Sequence, residues 1–104
     1  MDCCITLTTA GSEAEADTIA SALIAEKLAA CVSIHPIKSV YIWQGKVQRE
    51  QEWQLVIKTQ PHKFEAVAAK VKSLHSYDVP ELLMLPIEQG STDYLGWLAE
   101  QVNG

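Results

Sequence analysis

Six side chains of this sequence are of the kinds that bind soft or borderline metal ions: three thiols and three imidazoles. No two of them stand in a Cys-x-x-Cys or His-x-x-x-His spacing. A metal site would therefore have to be assembled from distant segments or from several subunits. The six residues are Cys3, Cys4, Cys31, His35, His62 and His75.

The positions of the three cysteines favour packing. Cys31 lies between the first predicted helix and the second predicted strand, where a small apolar side chain is usually buried. We keep a packing role and a metal-binding role as alternatives for it. Cys3 and Cys4 are neighbours in a predicted strand, so their side chains point to opposite faces and cannot chelate one ion together. We expect both to be structural.

His75 follows the second predicted helix, in a polar turn that also contains Tyr77, Asp78 and Glu81. An imidazole can bind a metal ion near neutral pH. The alternative is a structural histidine, which the helix dipole favours at the carboxyl end of a helix. The residues alone leave both interpretations open.

A second candidate site is a polar cleft formed by Lys58, Tyr77 and Glu81, which could converge near a subunit boundary. No neighbouring group activates any of the three as a nucleophile or base, and the sequence has no glycine-rich phosphate loop. Lys58 and Glu81 could instead form a simple salt bridge. We therefore predict a non-enzymatic protein, with a small effector as one candidate ligand of this cleft.

The elements that must position these residues follow from hydrophobic periodicity. Residues 3–9 are β-branched and apolar and predict a strand. A capping box at Ser12 and Glu15 opens a helix whose apolar stripe recurs at helical spacing. Cys31–Trp43 and Lys46–Thr59 predict a long hairpin joined at Gln44-Gly45, with a bulge or bend at Pro36.

The second half of the sequence predicts three more elements. Pro61 begins a second helix, residues 82–87 form a fourth strand, and Ser91 caps a C-terminal helix. The first six elements match the ferredoxin-like βαββαβ pattern, an α+β sandwich with a four-stranded antiparallel sheet. Right-handed crossovers place two helices on one face of this sheet and leave the other face open.

The length of the hairpin predicts self-association. An arm of 14 residues spans about 46 Å, whereas a domain of this size is about 33 Å across. Tyr41, Trp43, Trp53 and Val56 cannot all face the two helices, so we expect aromatic surface on the uncovered face. Tyr41, Trp43 and Trp53 are the candidate interface residues of a homo-oligomer. The alternative is that the C-terminal helix covers this face within one chain.

Composition describes a single globular domain over residues 1–104. The net charge of −5, with no basic stripe, argues against a nucleic-acid partner. No apolar run approaches the roughly 18 residues of a membrane span, so we expect no membrane partner. The odd number of cysteines favours reduced thiols and a cytoplasmic location.

Six ordered segments together resemble the CutA divalent-cation-tolerance family. They are LAACV at 28–32, YIWQGK at 41–46, VIKT at 56–59, HSYDVPE at 75–81, LPIEQG at 85–90 and YLGWL at 94–98. The resemblance implies a homotrimer in which long hairpins pair between subunits around a central axis. It also implies a link to divalent-metal tolerance, with Cu(II) or another divalent cation as the candidate ligand.

The resemblance also bears on individual ligands. His75 matches the family's His-x-Tyr-x-x-Pro-Glu segment, whereas His35 and His62 match no motif and are expected at the surface. Some metal-binding members carry a cysteine where this chain has Thr8 and a second histidine where it has Leu74. The architecture is also similar to that of the PII signalling proteins, so an effector sensor and a purely structural interaction trimer are the alternatives.

Overall fold

The computed structural model describes residues 2–103, which contain four β-strands and three α-helices. Among these residues, no helix combines the length and the apolarity needed to cross a membrane. In chain order the elements are β1 (Cys4–Ala10), α1 (Glu13–Ala25), β2 (Cys31–Trp43), β3 (Lys46–Thr59), α2 (Phe64–Leu74), β4 (Leu83–Pro86) and α3 (Thr92–Asn103).

The strands form one antiparallel sheet in the order β2-β3-β1-β4. Ile19 of α1 and Val67 of α2 are fully buried in one core cluster with Leu55 and Ile57 of β3. Both helices therefore pack on the same side of the sheet, which we call the helix face. The ferredoxin-like prediction is confirmed. Side chains alternate along β3, so Glu52 and the other even-numbered residues of this strand point away from the helices. We call this second side of the sheet the open face.

The starts of α1 and α2 follow the predicted signals with two differences. Ser12 Oγ accepts a hydrogen bond from the Glu15 amide at 3.1 Å. The Glu15 carboxylate, however, accepts hydrogen bonds from the Ser76 amide (3.1 Å) and hydroxyl (3.2 Å), so it ties α1 to the segment after α2. A short 3-10 turn, Pro61–Lys63, precedes α2, which itself begins at Phe64.

Helix α3 covers one end of the open face. Its predicted cap is confirmed, since Ser91 Oγ accepts a hydrogen bond from the Tyr94 amide at 3.2 Å. Leu98 is fully buried but lies outside the core cluster under α1 and α2. Asn103 Nδ2 donates to Gln60 Oε1 at 2.6 Å, directly after β3. The remainder of the open face has no helix over it among the described residues.

The β2–β3 hairpin is confirmed with the predicted bounds, but its register contains no bulge. Pairing runs one residue to one throughout, and Pro36 lies opposite Trp53. An edge strand tolerates proline because its outer amides need no partner in the sheet, and β2 is an edge strand. Gln44 (φ 51°) and Gly45 (φ 76°) form the two-residue turn, whose positive φ values match the twist of the strands.

Half of the hairpin extends beyond the rest of the sheet. β1 has 7 residues and β3 has 14, and β1 pairs only with residues 53–59 of β3. The pairs from Ile37↔Glu52 to Trp43↔Lys46 therefore form a two-stranded ribbon, residues 37–52, with no third strand beside it among residues 2–103. The longest dimension of the structure is accordingly 44 Å, against 25 and 21 Å for the others.

The aromatic residues of the hairpin lie on two different faces. Tyr41 and Trp43 share the open face with Glu52, because their cross-strand partners lie at even-numbered steps from it. Trp53 lies on the helix face, where it packs against the core cluster together with Ile34. The candidate interface residues Tyr41, Trp43 and Trp53 are therefore divided between the two faces. Alternation from the buried Leu55 decides the position of Trp53.

Candidate functional site

The segment after α2 is anchored by a buried histidine. The His75 side chain is 0% exposed. Its Nε2 lies 2.6 Å from the Thr9 carbonyl oxygen, and its Nδ1 accepts a hydrogen bond from the Tyr77 amide at 3.0 Å. Because an amide only donates, Nδ1 carries the lone pair and Nε2 carries the proton that it donates to Thr9. Both ring nitrogens are therefore engaged by the backbone.

Tyr77 connects this anchor to the open face of the sheet. Its hydroxyl donates a hydrogen bond to Glu52 Oε2 at 2.8 Å, and its ring lies 4.7 Å from the His75 ring, centroid to centroid. A Cβ at Gly11 would come within 3.1 Å of the Tyr77 hydroxyl, so the absence of a side chain there makes room for it. Burial, and then the hydrogen bond to Glu52, raise the pKa of Tyr77.

A cleft of about 680 Å³ lies between this segment and the ribbon. Tyr41 and Trp43 contribute aromatic surface to it from the ribbon, and Tyr77 contributes from the other side. Four carboxylates line it, but no lysine, arginine or histidine does: these are Glu50, Glu52, Asp78 and Glu81. Burial, and then the charge of Glu52, raise the pKa of Glu81. The cleft is therefore negative and suits a cationic group.

The structure brings Tyr77 and Glu81 together as predicted but leaves Lys58 elsewhere. Lys58 Nζ lies 3.4 Å from Ser33 Oγ and 3.9 Å from Cys31 Sγ, near the far end of the open face. Along β3, Lys58 is six residues from Glu52, about 20 Å at the rise of a strand. The expected convergence of Lys58 with Tyr77 and Glu81, and a Lys58–Glu81 salt bridge, do not occur within one subunit.

Four residues of this site were not singled out from the sequence: Gly11, Glu15, Glu50 and Glu52. Glu15 was assigned to a helix cap, which uses the same spacing. Glu52 is only 6% exposed, although it stands in a segment that reads as solvated strand. Glu52 could have been identified from its position in the strand, because it alternates with the core residues of β3 and directly precedes Trp53, where pairing with β1 ends.

The family described as CutA1 divalent ion tolerance protein matches residues 4–101, which is nearly the whole chain. The chain belongs to the CutA1 divalent-ion tolerance family. The resemblance found in the six sequence segments is thereby confirmed.

Individual CutA relatives agree closely in sequence and fold. The chain is 50% identical over 97 residues to the divalent-cation tolerance protein CutA of Thermus thermophilus, covering 92% of this chain and 94% of that protein. The solved structure named as the periplasmic divalent cation tolerance protein CutA of Archaeoglobus fulgidus superposes with a TM-score of 0.95 at 42% identity, covering 97% of this chain and 99% of that one. The CutA of Thermus thermophilus superposes with a TM-score of 0.94.

The family name raises the question of a divalent cation, and the thiols and imidazoles of one subunit do not fit it. His75 has no free ring nitrogen, and Cys31 contacts Lys58 at the opposite end of the open face. Burial, and then the neighbouring Cys3, raise the pKa of Cys4 to about 11, so that thiol stays protonated at neutral pH. Within residues 2–103, no group of three or more His, Cys, Asp or Glu side chains is placed to hold a metal ion.

Thr8 and Leu74, which stand where the resemblance implies further metal ligands, do not supply a site. Thr8 is fully buried in β1, on the helix face with Leu55 opposite it. Leu74 is 36% exposed at the end of α2. The two remaining histidines, His35 and His62, are exposed, as expected. His75 is therefore best described as a structural residue that positions Tyr77.

The buried histidine generates a first prediction. His75→Ala removes a buried ring and leaves the Thr9 carbonyl and the Tyr77 amide without partners, so the free energy of unfolding should fall by about 2–4 kcal/mol. Cu(II) binding measured by calorimetry should be the same as in the wild type. His62→Ala, at an exposed position, is the matched control and should change neither quantity. Retained stability with a loss of Cu(II) affinity would contradict a structural role.

The Tyr77–Glu52 hydrogen bond generates a prediction for alkaline pH. The pKa of Tyr77 is raised in the folded state, so its contribution to stability is complete below the unfolded pKa of about 10 and is lost as pH rises through the folded value. Urea unfolding of Tyr77→Phe should show a shallower decline than the wild type above pH 10.

At pH 8 the same variant should be less stable by about 1–3 kcal/mol, because Glu52 loses its donor. Tyr94→Phe, at an exposed position, should leave the stability at pH 8 unchanged. An alkaline decline in Tyr77→Phe as steep as that of the wild type would show that Tyr77 is not the group responsible.

Proposed function

We propose that this CutA-family chain forms a homotrimer and acts in divalent-cation tolerance as a non-enzymatic protein of the cytoplasm. The observation that supports self-association is the ribbon of residues 37–52, which has no neighbouring strand within the subunit. An isolated two-stranded ribbon is marginally stable in water at best. The resemblance to the CutA family supplies the number of subunits.

Both faces of the ribbon carry exposed apolar side chains. Ile42 and Val47 are 75% and 64% exposed on one face, and Trp43 is 54% exposed on the other. Ile42 and Val47 are cross-strand partners, so they form one apolar patch, and Trp43 lies beside Tyr41 on the other face. Contiguous apolar surface of this kind marks an interaction site in soluble proteins.

The other edge of the sheet supports the same proposal. All four residues of β4 are exposed, and Leu83 and Leu85 are 54% and 46% exposed. On α3, Tyr94 and Trp97 are 42% and 41% exposed, with ring centroids 5.6 Å apart. An apolar edge strand is a ready partner for another chain.

The non-enzymatic and cytoplasmic parts of the proposal have their own support. His75 is held by the backbone on both nitrogens, and the raised pKa of Tyr77 keeps its phenol protonated at neutral pH. Neither is available as a base. Cys3, Cys4 and Cys31 are free thiols, which suits a reducing compartment.

The proposal is tested with the wild type and Trp43→Asp. Light scattering should give the wild type three times the 11.5 kDa chain mass at micromolar concentration. Trp43→Asp places a charge in the apolar interface and should lower that mass. Cells lacking the gene should grow poorly in excess Cu²⁺ or Zn²⁺ and be rescued by the wild type but not by the variant.

The control for this experiment is Ser21→Asp, at an exposed polar position on α1 away from the ribbon, which should keep both mass and rescue. A wild-type mass equal to one chain would overturn the homotrimer. Full rescue by an unassembled Trp43→Asp variant would separate metal tolerance from assembly.

A second candidate function is an effector sensor, and the cleft lined by Tyr77 and Glu81 favours it. Its four carboxylates and aromatic walls suit a cationic metabolite rather than a nucleotide. In a thermal-shift screen, a true ligand at 100 times its dissociation constant should stabilise the protein by about 2.7 kcal/mol. Glu81→Gln should reduce the shift. A screen in which only anionic metabolites stabilise the protein would contradict this assignment.

A further inference from the structure

The open face of the sheet carries its charges in two separate groups. Glu50 and Glu52 lie on it beside Glu81, at the cleft. Lys58 lies on the same face, because it is an even number of residues from Glu52 along β3. The separation of about 20 Å along the strand is far too long for an ion pair within one subunit. The two groups are therefore electrostatically complementary but held apart by the rigidity of β3.

Neither group has an opposite charge as its partner. Lys58 Nζ contacts only the neutral Ser33 hydroxyl and the Cys31 sulfur, at 3.4 and 3.9 Å. Lys70 forms an ion pair with Glu26, and Glu15 lies 3.6 Å from Nδ1 of the neutral His75; neither contact includes Lys58 or Glu81. Both charges are left in contact with water as long as the open face is uncovered.

Covering the open face would remove that water. Apolar side chains on or beside this face are substantially exposed and lie between and around the two charged groups; they are Tyr41, Trp43, Leu83, Leu85 and Trp97. A second copy that buries them also desolvates Lys58, which is already half-buried on a central strand. A desolvated charge without a partner is costly, so the arrangement is stable only if each charge meets its opposite across the interface.

Lys46 differs from Lys58 in this respect. It also lies on the open face, opposite Trp43, but it adjoins the turn at the tip of the ribbon and is exposed. A lysine at that position can remain hydrated in an assembly. Charge complementarity and burial together therefore select Lys58.

We propose that Lys58 of one subunit pairs with Glu81 of a neighbouring subunit, so that a second copy of this chain completes the cleft. This inference rests on the proposed homotrimer. The two partners occupy different patches of the chain, as in a head-to-tail contact, and such contacts close into a ring when the rotation between subunits allows it. The set of Lys58, Tyr77 and Glu81 expected from the sequence is then assembled between two subunits.

The test is a charge-swap cycle on the full chain. Lys58→Glu and Glu81→Lys should each raise the concentration at which the trimer dissociates by at least about thirtyfold, since each places like charges together at the interface. The double variant Lys58→Glu/Glu81→Lys should recover most of this loss. Mass by light scattering across a dilution series and a urea series measures it, and far-ultraviolet circular dichroism reports whether each variant is folded.

Lys46→Glu is the matched control, with the same change of charge on the same face, and should dissociate as the wild type does. If the reversed charges prevent folding, a neutral cycle replaces the charge swap: Lys58→Met, Glu81→Gln and the double variant. If the two residues pair, the double variant should lose less free energy of trimer association than the two single variants lose in sum.

The outcomes separate this inference from the homotrimer on which it rests. A wild-type trimer whose single variants dissociate normally would overturn the pairing and leave the assembly intact. Single variants that dissociate without recovery in the double would also overturn it. A wild type that is monomeric at micromolar concentration would overturn both.

Discussion

The mismatch in length between β1 and the β2–β3 hairpin is the constraint on which the other features depend. β1 ends at Ala10, and Gly11 turns the chain towards α1, so β3 loses its neighbour after Trp53. The inward-facing backbone groups of the ribbon remain paired, but the outward-facing groups of β3 have lost their neighbouring strand, and most of the ribbon's side chains are exposed. The hydrophobic effect therefore favours any arrangement that covers them. The apolar exposure of the ribbon and the cleft at its base both follow from this one difference.

The cleft is built by backbone anchors rather than by the residues that line it. His75 is locked between the Thr9 carbonyl and the Tyr77 amide, and Glu15 holds Ser76 from the start of α1. These contacts direct Tyr77 over the end of β1, where Gly11 leaves space and Glu52 accepts its hydroxyl. A buried polar network of this kind specifies one geometry because every alternative leaves a donor or an acceptor unmade.

The CutA1 family is named for tolerance of divalent ions, but the side chains of one chain form no metal site among the described residues. The thiols and imidazoles that prefer copper are buried, bonded or far apart, whereas carboxylates converge at the cleft. Distances along β3 explain the separation, because a strand is rigid and holds Lys58 and Glu52 about 20 Å apart. A single chain therefore presents complementary charges that it cannot bring together by itself.

The sequence by itself determined the order of the elements, the bounds of the hairpin and the family, because these depend on local periodicity, turn residues and motif segments. Gln44-Gly45, for example, needs only its own backbone preference to form the turn. Tertiary structure alone decided the role of His75 and the distance of Lys58 from Glu81. The packing of the segment after α2 against β1 and β3 fixes that distance, and the Thr9 carbonyl that His75 contacts is 66 residues away in the sequence. Neither can be predicted from the local sequence, because residue types and their spacing do not show which distant segments will pack together.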